Sequence, residues 1–362
     1  VSRDCEATSG YSLVEVLVAL ALTLAVVCGV LAIVNGTDAA SSTLGEAADI
    51  QQRARVSGDA LWRDLAMAGA GFDGGALAGP LVRNFAAVVP RRVGLQAADP
   101  VTTASSQAIS VLFVPRTSAQ TTTSVGIAPA ALQLQVNSPP NCPVSPALCG
   151  LRPGAGVVVI DPAAPDRFAL FTLADVAGAT GRLVHRALTS FSAFEAGAPV
   201  AEVEMHTYYF DSANHQLRDY DGYVTDVPLI DHVVGLRFDY FGDPRPPSLP
   251  QPPAGVENCL YDASGSPRPM PVLTPEGGSL APLPLGMLSD GPWCGSGADA
   301  FDADLLRVRR VRVSIRLEAA SAAVRATGPS FANPGTSRSA LRSVPDYVVA
   351  FDVSPRNLSP WR

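Results

Sequence analysis

The sequence predicts an α+β protein in which one long N-terminal helix packs on an antiparallel sheet. Three observations carry this expectation. Residues 11–34 form an apolar run of 24 positions, 20 of them hydrophobic, with Glu15 as the one charge. No proline occurs before Pro80, and beyond the run Ile50, Ala54, Leu61, Leu65 and Ala68 recur at spacings of three, four or seven. Gln51, Arg53, Arg55 and Asp59 fall off that stripe, as on an amphipathic helix. After Gly69 the pattern changes to short β-like runs separated by Gly, Pro, Ser and Asn.

At about 1.5 Å per residue the first run crosses the roughly 30 Å hydrocarbon core of a bilayer. A secretory signal peptide has a shorter apolar region of about 7–15 residues and a small-residue cleavage site. Here no A-x-A-like site follows Ala32-Ile33-Val34-Asn35, so the segment is expected to be membrane-inserted. An ionisable group inside such a run costs a few kcal/mol unless it is paired, which makes Glu15 a functional candidate. A free amino terminus, made by cutting after Gly10, would supply the opposite charge from a neighbouring helix in a bundle. From Tyr11 to Ala68 the helix would extend about 87 Å. Its second half must therefore pack on something, most simply a sheet of the same chain.

The candidate strands are 108–114, 156–160, 168–173, 203–210, 233–241, 308–317 and 347–353, in meander-like order. Between Gly242 and Cys294 lie 13 of the 32 prolines. So many missing amides cannot supply a central strand, and residues 243–294 are expected to form a long surface excursion. Of the six cysteines, Cys5 precedes the apolar run and Cys28 lies within it. The other four, Cys142, Cys149, Cys259 and Cys294, allow three connectivities in an oxidising compartment. Pairing of neighbours, Cys142 with Cys149 and Cys259 with Cys294, is the simplest.

Composition narrows the function classes. The chain is 47% hydrophobic and 16% charged, which is not the composition of a disordered chain. All 26 basic residues are Arg, so Schiff-base lysine chemistry and a P-loop lysine are both absent. A net charge of -7 speaks against nucleic-acid binding. No G-x-S-x-G, C-x-x-C or H-E-x-x-H occurs and the four histidines are scattered, so neither catalysis nor a cofactor is expected. Gly69-Ala70-Gly71-Phe72-Asp73-Gly74 fits G-x-G-x-x-G by letter, but it follows a helix and reads as a glycine-rich helix terminus. Glu202, Glu204 and His206 at period two, and Asp211, Asp219, Asp221 and Asp226 around Gly222, are the candidate cation ligands. The simpler reading of the first set is a solvated strand face, and the second set lacks EF-hand spacing.

The N-terminal sequence Gly10-Tyr11-Ser12-Leu13-Val14-Glu15-Val16-Leu17-Val18-Ala19 resembles the class III signal of type IV pilins and pseudopilins. The resemblance implies a pilin-like fold. It also implies cleavage between Gly10 and Tyr11 by a prepilin peptidase, N-methylation of Tyr11, and neutralisation of a neighbour's amino terminus by Glu15. Two features depart from the family: Tyr11 stands where Phe is usual, and Arg3 is the only basic residue of a leader that also holds Asp4 and Glu6. The Val1 start suggests an alternative start codon or a missing upstream stretch.

Residues 51–69, Arg-rich and ending Met67-Ala68-Gly69, resemble the PilW-like minor pilins, as does the tail from Asp346 through Val353 to Arg356-Asn357-Leu358. The likeness sits at both ends and is loose in the middle. It implies a cytoplasmic leader (1–10), a transmembrane half-helix (11–34), an amphipathic half-helix (35–70) and a periplasmic β-rich domain (71–362). The implied partners are the peptidase, other major and minor pilins, an inner-membrane assembly platform and membrane lipid. A J-type minor pseudopilin of type II secretion, and a membrane-anchored periplasmic binding or adhesion module, are the alternatives. Since some minor pilins serve DNA uptake, Arg310, Arg312 and Arg316 are a candidate DNA stripe, against the simpler reading of a half-buried strand with a charged outer face.

Overall fold

A computed structural model describes residues 11–72, 79, 81, 85–94, 96–115, 119–129, 131–138, 142, 148–162, 168–185, 193–247, 251–252, 255, 257–276, 278–295, 297–339 and 342–358, without the side chains of 32–40 and 298. Gly10 with its leader, and Asp73 and Gly74 of the glycine-rich run, lie outside the described residues. The chain divides into two compact units, one of Val1–Gln52 with Glu318–Asp346 and one of Arg53–Leu317 with Tyr347–Arg362. The architecture is α+β, with an N-terminal apolar helix and antiparallel sheets.

Helix α1 runs Leu13–Met67, within two residues of the expected limits. It starts where Ser12 and Glu15 form a reciprocal capping box. The Ser12 amide donates to Glu15 Oε2 at 2.8 Å, and the Glu15 amide donates to Ser12 Oγ at 3.2 Å. The helix ends at Gly69, whose φ of +75° is left-handed and costs glycine nothing. Residues 11–31 are exposed throughout, and Leu13–Leu31 is long and apolar enough to cross a membrane. In the later turns the expected stripe of Ala54, Leu61, Leu65 and Ala68 is buried, while Gln51, Arg55 and Asp59 are exposed.

The sheets of the second unit follow in chain order. Strands β1 (Val88–Val89) and β2 (Ala108–Phe113) open a five-stranded antiparallel sheet. The chain then leaves it for six strands, β3 (Gln120–Thr122), β4 (Gln133–Gln135), β5 (Gly156–Ile160), β6 (Phe168–Ala177), β7 (Arg182–His185) and β8 (Pro199–Glu202). It returns with β9 (Glu204–Asp211), β10 (Gln216–Tyr220) and β11 (Asp226–Asp231), giving the order β1-β2-β9-β10-β11. Strand β12 (Val233–Gly242) begins a four-stranded sheet with β13 (Ala281–Leu283), β16 (Val308–Leu317) and β17 (Tyr347–Val353), in the order β13-β12-β16-β17. Between them β14 (Trp293–Cys294) and β15 (Phe301–Asp302) pair as a two-stranded ribbon.

One meander-like sheet was the expectation, and the chain builds separate sheets instead. The physical reason lies in residues 119–203. Their strands pair in the order β3-β8-β5-β6-β7-β4, and a further bridge between Thr123 and Val136 joins the two ends. The Ser124 amide donates to the Gln135 carbonyl at 2.8 Å and the Asn137 amide to the Thr122 carbonyl at 2.8 Å. The six strands thus close into a small barrel inserted between the neighbouring strands β2 and β9. Closure removes the free edges that would otherwise pair onward. Val157, Val159, Phe171, Leu173, Leu183 and Val200 fill its interior.

The proline-rich stretch 243–294 does touch the sheet. It supplies β13 at the edge, with Pro282 opposite Phe241, a position where a missing amide faces no partner strand. Cys259 is bonded to Cys294, and Cys142 to Cys149. Both disulfides fit an oxidising compartment.

A Cβ built on Gly69 would lie 3.0 Å from Leu358 Cδ2 and 3.4 Å from Ala87 Cβ, besides occupying a left-handed φ. Gly69→Ala is expected to lower stability by about 1–2 kcal/mol, read as a shifted midpoint in chemical denaturation. The double Cys259→Ser, Cys294→Ser variant, which opens a loop of 35 residues, is expected to cost about 3–4 kcal/mol in the same measurement.

Candidate functional site

Two polar features stand out from the apolar framework, one at each end of α1. At the first end Tyr11 is 88% exposed, and Glu15 sits one turn into the apolar run, held by Ser12. The signal S-x-x-E was present in the sequence as Ser12-Leu13-Val14-Glu15, but Glu15 was read there only as a charge partner. The structure gives it a local task as well, since its carboxylate satisfies an orphan amide of the helix start.

The second feature is a carboxylate on the buried side of the helix. Asp64 lies between Leu61 and Leu65 on the packed stripe and is almost fully buried. Tyr208 of β9, also buried, donates its hydroxyl to Asp64 Oδ2 at 2.6 Å. Arg63 Nε donates to Asp64 Oδ1 at 3.1 Å. His206 of β9 places Nδ1 3.7 Å from Asp64 Oδ2 and 3.1 Å from Asp219 Oδ1 on β10. The imidazole lies between the rings of Phe113 and Tyr208, at 6.1 and 6.2 Å centroid distance. One helix and two strands therefore meet at one histidine.

Burial opposes the charged form of His206. The hydrogen bond to Asp219, with the charges of Asp219, Asp64 and Glu204, outweighs it and holds the imidazole pKa above its ordinary value. Burial first, then the neighbouring carboxylates, push the Tyr208 phenol far up, so it remains a donor. Burial also raises the Glu204 carboxyl. Sequence reasoning placed His206 and Glu204 in a candidate trio and missed Asp64 and Tyr208. The signal that could have found Asp64 was a single acid at i+3 from Leu61 on an otherwise apolar stripe.

The trio itself is divided: Glu202 ends β8 in the barrel, whereas Glu204 and His206 belong to β9. The proposed calcium loop also does not assemble, because each aspartate has separate work. Asp211 accepts the Ala213 and Asn214 amides, and Asp219 pairs with His206. Asp221 accepts three amides, from Tyr223, Val224 and Thr225, and Asp226 binds Arg218 and the Tyr209 hydroxyl. Among the described residues the carboxylates that do converge are Asp290, Asp302 and Asp304. Burial raises Asp304 to about 6, partly offset by Arg307, whose buried Nε lies 2.7 Å from Asp304 Oδ1. That guanidinium already supplies a cation to the cluster.

Two arginines of the β16 stripe meet a carboxylate of the neighbouring strand β17. Arg312 makes a two-pronged contact with Asp352 of β17, at 2.8 and 3.1 Å, and Arg310 lies over the Phe241 ring at 4.4 Å. Arg316 stands on the same outer face, opposite Val348 of β17. On β12 Arg237 pairs with Asp239. The face carries ion pairs to Asp352 and Asp239 with the Phe241 ring set among its arginines.

The His206 geometry has a pH consequence. Because its folded pKa is raised, its stabilisation is fully present below about pH 6.5 and is lost as pH rises through the higher folded value. Thermal melts of the detergent-purified chain are expected to lose about 2–4 °C more between pH 6 and pH 9 in the wild type than in His206→Gln. Tyr208→Phe leaves a buried carboxylate short of a donor and is expected to cost about 1–3 kcal/mol at neutral pH.

No protein-family model and no curated protein matches the chain, so function rests on the chemistry of its own residues.

Proposed function

We propose that the chain is a single-pass prepilin-like protein of the inner membrane, a PilW-like minor pilin that takes part in assembling a type IV pilus. The observation that carries this reading is the run Gly10-Tyr11-Ser12-Leu13-Val14-Glu15 at the head of an exposed apolar helix. An apolar helix with one acid near its start has a use for a cation, and a neighbouring subunit with a freed, methylated Tyr11 amine would bring one. In the monomer the Ser12 amide uses Glu15 Oε2. Oε1 is then the oxygen available to the neighbour's amine, so the acid can cap its own helix and pair with the next subunit.

The rest of the molecule supports the same division of labour. Residues 53–67 of α1 pack within the β-rich unit, and that unit carries two disulfides suited to the periplasm. A filament subunit needs both an assembly helix and a surface domain fixed to it.

Filaments sheared from cells carrying wild-type chain are expected to contain it. Glu15→Leu is expected to remain in the membrane fraction and to fall at least tenfold in the sheared fraction, with Glu15→Asp less affected. Equal recovery of Glu15→Leu and wild type in filaments would remove the proposal.

A further inference from the structure

His206 of β9 stands where α1, β9 and β10 meet, and each of the three brings it a carboxylate. From α1 comes Asp64, with Oδ2 3.7 Å from Nδ1. From β10 comes Asp219, its two oxygens 3.1 and 3.3 Å from the same nitrogen. Glu204 lies two positions away on the same face of β9, and Glu202 at the end of β8 acts in turn on Glu204. The other cation here is Arg63 of α1, 3.1 Å from Asp64 Oδ1 and largely exposed. Phe113 of β2 and Tyr208 contribute rings and no charge. With the imidazole protonated, His206 and Arg63 together face Asp64, Asp219 and Glu204; with it neutral, Arg63 faces them alone.

Loss of that proton falls unequally on the two sides of the joint. Asp219 is within hydrogen-bond distance, so a neutral imidazole with its hydrogen on Nδ1 keeps that bond. Asp64, at 3.7 Å, is beyond such a bond and holds the imidazole through charge alone. The sheet side has its own fastening, since β9 is laddered to β10 from Thr207 opposite Tyr220 to Asp211 opposite Gln216, and to β2 on its other edge. The helix side depends on buried Leu61, Leu65 and Ala68 and on the partners of Asp64. Beyond them Gly69 is a fixed pivot, its amide donating to the Leu112 carbonyl at 3.0 Å and its carbonyl accepting the Leu81 amide at 2.9 Å. The His206 side chain is 28% exposed, so water reaches it without prior unfolding.

We propose that His206 is a proton-operated latch between α1 and the sheet: as the imidazolium it holds residues 61–67 of α1 against β9, and as the neutral ring it lets them open about Gly69 while the sheet stays paired. Burial opposes the charge in the closed joint, but the bond to Asp219 and the surrounding carboxylates outweigh it and keep the imidazole protonated above its ordinary range. In the open joint the same pairs are in water, where they are worth little, and the imidazole returns towards its ordinary value of about 6.5. The latch is therefore closed below that value and releases as pH rises through the higher closed-state value. Over this range the Tyr208 phenol, pushed far up by burial, and Arg63, held up by its hydrogen bond to Asp64, keep their protons. The latch works whatever becomes of residues 1–10 and whatever the chain assembles into.

Hydrogen–deuterium exchange of the detergent-purified full chain, read from pH 6 to pH 9 and corrected for the intrinsic pH dependence of amide exchange, tests the latch. Peptides covering residues 61–68 are expected to show an opening constant that rises about fivefold or more, while peptides from β16 stay unchanged. In His206→Gln the rise should be absent. Asp219→Asn removes a source of the raised proton affinity and should move the midpoint of the rise to lower pH, a shift that a merely structural contact would not produce. Should His206→Gln fail to fold, the wild-type profile and the Asp219→Asn midpoint carry the test. No rise in residues 61–68, an equal rise across the whole chain, a rise retained in His206→Gln, or an unmoved midpoint in Asp219→Asn would each overturn the proposal.

Discussion

The hydrogen bond from Tyr208 to Asp64 fixes how the helix meets the sheet, because it is the point where burial and charge make opposite demands. Leu61, Leu65 and Ala68 draw this face of α1 out of water, and Asp64 is carried in with them. A buried carboxylate without donors would cost several kcal/mol. Apolar stripes tolerate some sliding, but a slip of one turn, about 5.4 Å, would take Asp64 away from Tyr208 and His206. The acid therefore acts as a register pin on a helix whose apolar contacts alone would specify its position less sharply. Arg53, which donates to the Asp231 carbonyl at 3.0 Å, and Asn357, beside the Met67 carbonyl at 3.4 Å, secure the same stretch at its two ends.

With that joint fixed, the remaining elements become insertions into a small α+β scaffold. The barrel of residues 119–203 leaves and re-enters between two paired strands, so it adds mass without breaking the five-stranded sheet. The proline-rich stretch does the same between β12 and its partners, and its own edge strand ends the sheet at Pro282. The segment 318–346 belongs to the first unit, where Glu46 of α1 accepts the Ala320 and Ser321 amides and Glu318 is ion-paired with Arg325. In the proposed reading, these insertions are the parts free to vary in what they touch, while α1 keeps the constraints of assembly.

Much of the scaffold was legible in the sequence because single elements carried their own periodicity. The limits of α1, of Gly156–Ile160, of Val308–Leu317 and of Tyr347–Val353 follow from apolar spacing and from glycine or proline at the ends. Pairing was not legible. Gln120–Thr122 and Gln133–Gln135 are three-residue polar strands, and only contacts far apart in sequence reveal that they close a barrel. Likewise Arg312 looked free on its strand, since its partner Asp352 lies forty residues away. Asp64 escaped notice because a lone acid on a stripe gives no hint of the tyrosine and histidine that accept it. At the N-terminus the reverse holds, as one short local motif carried most of the functional reading.

The central claim is that the apolar half of α1 is a processed assembly helix and not a plain anchor. Mass spectrometry of the N-terminal peptide from membrane-extracted chain tests it most directly. The account predicts a chain that begins at Tyr11 and carries one methyl group on its amine. A chain that retains residues 1–10 would contradict it.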